Sequence, residues 1–324
     1  MRTVGMSAAA VVCLLAATPA LAAECDWKPE RAVTYVVPWG AGGGTDANSR
    51  MLASLLENHF GVPFNVVNRT GGNGVTGHSA IASAEPDGYT VGSATVEINT
   101  MHHVGLTDLN RESITPIALL DIVPSSVLVK ADSPFESLEQ LLTHAKDNPG
   151  SLTASGTAQG GIWHLALAGM LNAEGIDPAA IRWIPSKGAA PAMQELMAGG
   201  VDIATPALSE GKALIEQGEL KALAYMHTDR MAALPDVPTT AESTDSGWTL
   251  AAWITISGPE GLPEEIACSY EKAVLEAVET QDWADFKVSR GSEVVSMGSD
   301  DLKDFMAASD TALGNTITAI GLAK

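Results

Sequence analysis

Residues 33–46 read Val-Thr-Tyr-Val-Val-Pro-Trp-Gly-Ala-Gly-Gly-Gly-Thr-Asp. The first five are β-branched or aromatic, which favours a strand, and Pro38 ends this strand because proline has no N–H for the ladder. Four glycines follow within five positions and leave no side chain to keep a ligand from the backbone. Thr45 and Asp46 then stand where the N-cap of an apolar-periodic helix is expected. This stretch predicts a strand, a glycine loop and a helix N-terminus, an arrangement that binds anions through N–H groups and the helix dipole.

A second stretch, residues 152–163, repeats this arrangement. Residues 152–155 favour a strand, a glycine-rich segment follows, and a helical pattern begins at Trp163. Around both stretches, short apolar runs alternate with helical periodicity, which indicates parallel sheets with helices on both faces. Ligands of such sheets bind beyond the carboxyl ends of the strands. We expect both loops at that edge, together with the polar strand ends at Ser93, Thr95 and Thr205.

Two long apolar segments, residues 117–129 and 248–257, are predicted to pass between two such units. We therefore expect an α/β protein with two lobes, each a mixed, mostly parallel sheet flanked by helices, joined by two crossover strands. Residues 24–123 with 250–324 would form lobe 1, and residues 124–249 would form lobe 2. This is the architecture of a type II-like periplasmic binding protein, in which hinge closure traps a ligand between the lobes.

The N-terminus has the pattern of a secretory signal peptide over residues 1–23. A basic start, an apolar segment too short to span a bilayer and the cleavage motif Ala20-Leu21-Ala22 follow one another. A buried N-terminal helix is the alternative. Glu24 precedes Cys25, whereas a lipid-modified cysteine needs a small residue before it. We expect a soluble protein exported to the periplasm.

The charge of the chain limits its partners. It has 18 basic and 39 acidic residues and a net charge of −21, which becomes −22 when Arg2 leaves with the signal peptide. This acidity argues against binding to nucleic acid or to an anionic membrane surface, and it favours a soluble monomer. Any anion site must then rely on local dipoles and backbone donors, because the overall charge repels anions.

Cysteine and histidine are too sparse to predict a metal site. After export, Cys25 and Cys268 remain in a compartment where disulfides persist, so they form either one bridge or two unpaired thiols. His102 and His103 are adjacent and would point to opposite faces of a strand. The first glycine loop is not a nucleotide motif, because Thr45 replaces a required glycine and the lysine of a P-loop is missing. We therefore expect no metal and no cofactor.

Four blocks of the chain read VPWGAGGGTD at 37–46, VNRTGGNG at 67–74, PDGYT at 86–90 and LPDVPTTAE at 234–242. In sequence and in order these blocks resemble the periplasmic solute-binding receptors of tripartite tricarboxylate transporters, also called the Bug family. The resemblance runs from about residue 32 to residue 322 and implies a two-lobed protein with a small carboxylate in its cleft.

The resemblance also implies which residues meet the ligand. In the family the first glycine loop holds a carboxylate through N–H groups and bridging waters, the second loop faces it, and a histidine and a polar strand end follow. Trp163 stands where a smaller residue is common, so it would shrink the site or stack on a flat ligand. Together with the residues predicted from the pattern, the candidate set is Trp39, Gly40, Ala41, Gly42, Gly43, Gly44, Thr45, Asp46, Ser93, Thr95, Ser155, Gly156, Thr157, Gly160, Gly161, His164, Lys187 and Thr205.

Several of these candidates have a structural alternative. Asp46 is better placed to cap a helix than to contact an anion, because its charge repels a carboxylate. His164 is equally consistent with packing against a turn, and Lys187 with a solvated surface charge. Ser93 and Thr205 are consistent with capping of strand ends as well as with ligand contact.

We expect a receptor that delivers a di- or tricarboxylate or an aromatic acid to a membrane permease with one small and one large subunit. A ligand with two acid ends would bridge the two loops and favour closure. Backbone donors have no charge to lose, so binding would depend mainly on the ionisation of the ligand. The alternatives are a sensor whose closed form is recognised by a signalling partner, and an exported α/β enzyme.

Overall fold

The computed structural model describes residues 25–324, so the predicted signal peptide lies outside the described residues. Within this range the chain alternates strands and helices. The strands are β1 (Val33–Val37), β2 (Phe64–Asn68), β3 (Thr90–Thr95), β4 (Ile114–Pro124), β5 (Ser126–Lys130), β6 (Leu152–Ser155), β7 (Ile181–Trp183), β8 (Ile203–Ala204), β9 (Leu220–Tyr225), β10 (Ala251–Pro259) and β11 (Met297–Gly298).

The helices lie between these strands and after them. They are α1 (Gly44–Phe60), α2 (Val75–Ala82), α3 (Leu138–Asp147), α4 (Ile162–Ala173), α5 (Ala189–Ala198), α6 (Leu208–Glu216), α7 (Thr240–Ser243), α8 (Glu264–Val278), α9 (Gln281–Ser289) and α10 (Ser299–Ala319). None of the helices within residues 25–324 combines the length and the apolar character that crossing a membrane requires.

The strands form two mixed sheets, as predicted. The first has the order β11-β4-β10-β3-β1-β2 and the second has the order β7-β6-β8-β5-β9. Parallel pairs join β1 to β2 and β3, and β6 to β7 and β8, whereas β10 and β5 pair antiparallel with their neighbours. Most strands of each sheet therefore run in one direction. We call the first sheet with its helices lobe 1 and the second sheet with its helices lobe 2.

The outward crossing between the lobes is nearly continuous strand. β4 belongs to the first sheet and β5 to the second, and Ser125 alone separates them. The Ser125 N–H donates to Leu250 O, and its hydroxyl donates to Thr205 O. The return segment thus meets the outward one at the boundary of the lobes, and it enters the first sheet as β10.

Two helix ends lie where the residue types predict them, and the start of α1 does not. Gly61 ends α1 in the left-handed region at φ 73°, and Ser137 caps α3 by accepting from the Gln140 N–H, both as their residue types predict. The start of α1 differs from the prediction. Gly43 occupies the N-cap, so Thr45 and Asp46 lie inside the first turn. The helix therefore begins inside the glycine loop, at Gly44.

One apolar cluster crosses the boundary between the lobes. It joins Ile98 and Met101 of lobe 1 to Ile162 and Trp163 at the start of α4, and it includes Leu313 of α10. The helix α10 extends over 21 residues, and its buried residues recur at helical spacing. The two lobes are therefore packed together along this cluster.

The N-terminus is tied to the C-terminal third of the chain. Cys25 and Cys268 form a disulfide, which attaches residue 25 to α8 across a separation of 243 residues. Next to it, Trp27 packs on Tyr89 and Tyr270 with ring centroids 5.9 and 5.4 Å apart.

His102 and His103 differ from the prediction of opposite faces. They lie in a turn rather than a strand, and their Nε2 atoms lie 3.2 and 2.9 Å from the same atom, Asp310 Oδ1. A turn lets adjacent side chains point the same way, so this group attaches α10 to the segment that follows β3.

Candidate functional site

The cleft between the lobes contains a cavity of about 80 Å³. Both lobes and the C-terminal segment line it, so it exists only when the lobes are together. Its walls are Trp39, Gly44, Thr45, Asn48, Thr95, Glu97, Asp121, Val123, Thr157, Ile162, Trp163, Gly188, Ala189, Ala207, Ser209, Glu210, Ala252, Trp253, Ile254, Arg290 and Ser292.

The first glycine loop contributes its two ends to this cavity and not its middle. Trp39 lies in the wall, where its indole N–H donates to Thr95 Oγ1 at 3.1 Å. Gly44 and Thr45 form the wall at the start of α1. The residues between them are not part of the wall, and most are exposed: Gly40, Ala41, Gly42 and Gly43.

Asp46 is occupied by the protein itself. Its carboxylate accepts from the Gly42 N–H at 2.9 Å, from Asn68 Nδ2 at 2.8 Å and from Arg50 Nε at 3.0 Å. Burial alone would raise the pKa of Asp46, but these hydrogen bonds outweigh it and lower the pKa below its usual value. The side chain holds the loop in shape from inside the first turn, and it does not cap the helix as the alternative predicted, because Gly43 is the N-cap.

Thr157 is the member of the second loop that lines the cleft. It is 4% exposed, and its Oγ1 has no hydrogen-bond partner among the described residues. The other loop candidates shape the loop instead: the Ser155 hydroxyl donates to Ile184 O, Gly156 lies against Trp163, the Gly160 N–H donates to His164 Nδ1, and Gly161 caps α4.

Four further candidates lie outside the cavity wall. His164 stacks on Trp183 with ring centroids 4.8 Å apart, and burial lowers its pKa to about 4. Lys187 is exposed to solvent. The Thr205 hydroxyl donates to Trp163 O at 2.8 Å, while Ser93 bonds to Tyr35 and Ser49 inside lobe 1. All four side chains therefore contact other parts of the protein or solvent rather than this cavity.

Two glutamates join the lobes across the cavity. Glu97, on the segment after β3, is 2% exposed and accepts from the Ile162 N–H, the first of α4 in lobe 2. Glu210, in the first turn of α6, accepts from the Gly44 N–H at 3.2 Å, the first of α1 in lobe 1. Burial raises the pKa of both carboxyl groups, and the hydrogen bonds offset this only in part. Each lobe thus places a carboxylate on a helix N-terminus of the other.

A buried ion pair lies behind the wall. Lys287 Nζ is 2.6 Å from Asp121 Oδ1 and also contacts Asn48 Oδ1 and Leu120 O. Burial raises the pKa of Asp121 and lowers that of Lys287, so their attraction only partly offsets the cost of desolvation. Arg290 is the cationic side chain that lines the cavity itself.

The chain is similar to a known family of proteins over most of its length. Residues 49–322 match the model of the tripartite tricarboxylate transporter family receptor. The chain belongs to this receptor family. A UPF0065 protein of Bordetella pertussis is 31% identical to the receptor over 316 residues, which is 97% of this chain and 96% of that protein.

Solved structures agree with the family. R. palustris Rpa4515 with adipate is 29% identical, with a TM-score of 0.83 over 92% of the receptor and 99% of that chain. The periplasmic binding protein BugD is 27% identical, with a TM-score of 0.84 over 91% and 99%. These comparisons confirm the resemblance and the two-lobed fold. The family and its structural neighbours are solute-binding receptors and not enzymes, which places this receptor in the same class.

Sequence reasoning missed much of the cavity of this receptor. Glu97 follows a strand end that the sequence had placed at the ligand edge, so its charge was a usable signal. No sequence signal pointed to Glu210 or Arg290, because these residues reach the cleft only through the tertiary packing of α6 and α9. Trp163 lines the cavity, and whether it shrinks the site or stacks on a flat ligand stays a prediction.

Proposed function

We propose that this receptor binds a small carboxylate in the cleft between its lobes and delivers it to a membrane permease. One observation carries the proposal. The first residues of two helices, Gly44 of α1 and Ile162 of α4, line the same cavity from opposite lobes. Helix N-termini favour negative groups through their N–H donors and their dipoles.

The same placement explains how a ligand favours closure. We take residues 24–123 with 250–324 as lobe 1 and residues 124–249 as lobe 2, and we propose that they hinge at the two crossings. A ligand held by Trp39, Gly44 and Thr45 of the first loop and by Thr157 of the second loop touches both lobes only when they are together. Its binding energy therefore shifts the receptor towards the closed form.

Export and transport complete the proposal. The signal pattern of residues 1–23 supports cleavage and release into the periplasm as a soluble monomer. The closed form would present the ligand to a permease, for which we propose one small and one large membrane subunit. The ligand belongs to the small carboxylates, with di- and tricarboxylates and aromatic acids among the candidates.

The test is a thermal-shift screen of the mature protein with di-, tri-, aromatic, amino- and amide-bearing carboxylates. A ligand that binds only the folded state stabilises it by about 2.7 kcal/mol at a hundred times its Kd, so Tm rises. Native mass spectrometry of the protein purified from its host identifies a co-purified ligand independently.

A matched pair of variants locates the binding. Ala189 lines the cavity and Ala190 is exposed beside it. We expect Ala189→Trp to abolish the ligand-induced shift because the indole fills the cavity, and Ala190→Trp to keep it. If no carboxylate raises Tm, or if Ala189→Trp responds like the unmodified protein, the proposal is wrong.

A further inference from the structure

The cavity of this receptor is already supplied with carboxylates of its own. Glu97 and Glu210 each line it and each accept an N–H from the first residue of a helix in the opposite lobe. Those N–H groups are the donors that the sequence assigns to the carboxylates of a ligand. An incoming carboxylate at either helix therefore meets a glutamate in its place.

The two glutamates are fixed by further bonds. Thr95 Oγ1 donates to Glu97 Oε2 at 2.6 Å, and Thr95 in turn accepts from the indole of Trp39. Glu210 also accepts from the N–H of Ala207, the N-cap of its own helix. Both side chains are thus held by their own lobe as well as by the opposite one, so they are built features of the closed cleft.

The charges around the cavity do not suit a second anion. Lys287 lies 2.6 Å from Asp121 and neutralises it, which leaves two carboxylates, Glu97 and Glu210, facing one cation, Arg290. A ligand with one carboxylate finds Arg290 as its counter-charge. A second carboxylate would have to displace Glu97 or Glu210 from the N–H group that each already accepts at a helix N-terminus.

Thr157 indicates that a polar ligand belongs in this cavity. Its hydroxyl is buried and has no partner among residues 25–324. Buried hydroxyls are normally hydrogen-bonded, and a hydroxyl serves a carboxylate as a donor. Thr157 and Arg290 therefore supply the carboxylate end of a ligand, and the free lone pairs of the glutamates remain for a group that donates.

We propose that Glu97 and Glu210 are specificity determinants that select a carboxylate carrying a nitrogen donor, an ammonium or a primary amide, over one with two carboxylates. This proposal rests on the proposed function and narrows it. It also changes the expectation of a ligand with two acid ends, because the protein itself fills both of the helix N-termini that such ends would occupy.

Isosteric ligands test the proposal on the unmodified receptor. Each dicarboxylate (succinate, glutarate, adipate and terephthalate) is compared by calorimetry with its monoamide and with the analogue in which an aminomethyl group replaces one carboxylate. The monoamide differs from its parent only by an NH₂ in place of an oxygen. We expect the best nitrogen-bearing ligand to bind at least tenfold more tightly than its matched dicarboxylate.

Variants then assign the preference to the glutamates. The Glu97→Gln and Glu210→Gln substitutions, alone and together, keep the shape of the side chains and remove their charge. We expect these variants to bind the nitrogen-bearing ligands more weakly and the dicarboxylates more tightly. The difference in affinity between the two members of each pair then becomes smaller or changes sign. Glu219→Gln is the matched control, because Glu219 is exposed on lobe 2 and outside the cavity.

The outcomes separate the two proposals. If the unmodified receptor binds a dicarboxylate as tightly as its monoamide and amine, the glutamates do not select and this inference is overturned while the carboxylate receptor stands. If the glutamine variants keep the same difference in affinity between the paired ligands, this inference is overturned as well. If no ligand of any class binds, the proposed function itself fails. The comparison on the unmodified protein is decisive even if a variant does not fold.

Discussion

Thr157 and Thr205 show how one residue type takes two roles at neighbouring positions of lobe 2. Both are buried and both follow or end a strand. The Thr205 hydroxyl donates to Trp163 O at 2.8 Å and holds α4 against the sheet, whereas the Thr157 hydroxyl has no partner among the described residues. The sequence pattern is the same for both, so only the hydrogen-bond inventory separates a structural residue from a candidate ligand contact.

Valine substitutions separate these roles. Thr157→Val removes a hydroxyl that makes no bond, so we expect the free energy of unfolding without ligand to stay within about 0.5 kcal/mol, while ligand affinity falls several-fold. Thr205→Val breaks a buried bond and should lower the free energy of unfolding by about 1 to 3 kcal/mol. Urea unfolding and calorimetry measure both effects. Equal losses of stability would contradict the assignment.

His78 predicts a pH dependence of stability. It is fully buried, its Nε2 accepts from the Thr95 N–H at 3.0 Å and its Nδ1 lies 2.8 Å from Gly74 O, so the neutral ring with its proton on Nδ1 is the form that fits. Burial lowers its pKa to about 4. The unfolded chain takes up this proton below about pH 6.5, so stability is lost as pH falls from 6.5 towards 4.

His78→Gln isolates this contribution. The amide keeps one donor and one acceptor but does not titrate, whereas His164 and the carboxyl groups titrate in both proteins. We expect the unmodified protein to lose up to about 1.4 kcal/mol per pH unit more than the variant between pH 6 and 4.5. Urea unfolding across that range measures the difference. Parallel stability curves would show that His78 is not the group responsible.

At the scale of elements, close packing decides where the first loop begins. Gly77 on α2 lies directly against Pro38 Cα, and a Cβ at this position would also lie 2.8 Å from Arg69 O. Both neighbours are backbone and cannot move without displacing the turn that carries Trp39. Gly211 on α6 contrasts with it, because a Cβ there would meet Leu128 Cδ1, the end of a flexible side chain, at 2.6 Å.

Alanine at these two glycines has different expected costs. Gly77→Ala should lower the free energy of unfolding by about 3 kcal/mol and weaken ligand binding, because backbone must shift at the cavity wall. Gly211→Ala should be near neutral, because a gain of about 1 kcal/mol in helix propensity offsets the movement of Leu128. Chemical unfolding of both variants checks this. A Gly77→Ala protein as stable as Gly211→Ala would refute the argument.

The sequence was most informative about where individual strands and helices begin and end. The residue types of β1, Gly61 and Ser137 predicted a strand, a helix end and a helix start because each acts locally. The predicted start of α1 was wrong. Thr45 and Asp46 have side chains that favour the N-cap, but Gly43 is the residue that occupies it. Asp46 is drawn into the first turn by Arg50 and Asn68, which lie later in the chain.

At the scale of the whole molecule, the disulfide closes a long loop. Cys25 and Cys268 are separated by 243 residues, and their bond constrains the unfolded chain. The folded chain holds the same end through the contacts of Trp27 with Tyr89 and Tyr270. The bond therefore contributes mainly to global stability and lies apart from the cleft.

Removing both cysteines tests this contribution. We expect the Cys25→Ser/Cys268→Ser protein to lose about 2 to 5 kcal/mol of unfolding free energy and to bind ligand as before. A reducing agent should lower the stability of the unmodified protein to that of the variant and leave the variant unchanged. An effect of the reducing agent on the variant would contradict this explanation.

By itself, the sequence determined the α/β class, the glycine loops, the crossings and the family. Those features depend on residues close together in the chain, such as 33–46 and 152–163. Only the tertiary structure decided which side chains line the cleft. Thr157 lines it and Thr205 does not, because the Thr205 hydroxyl is bonded to Trp163 O inside lobe 2. Glu97 and Glu210 occupy the opposing helix N-termini because two lobes that are distant in sequence pack together. No local sequence pattern encodes this packing.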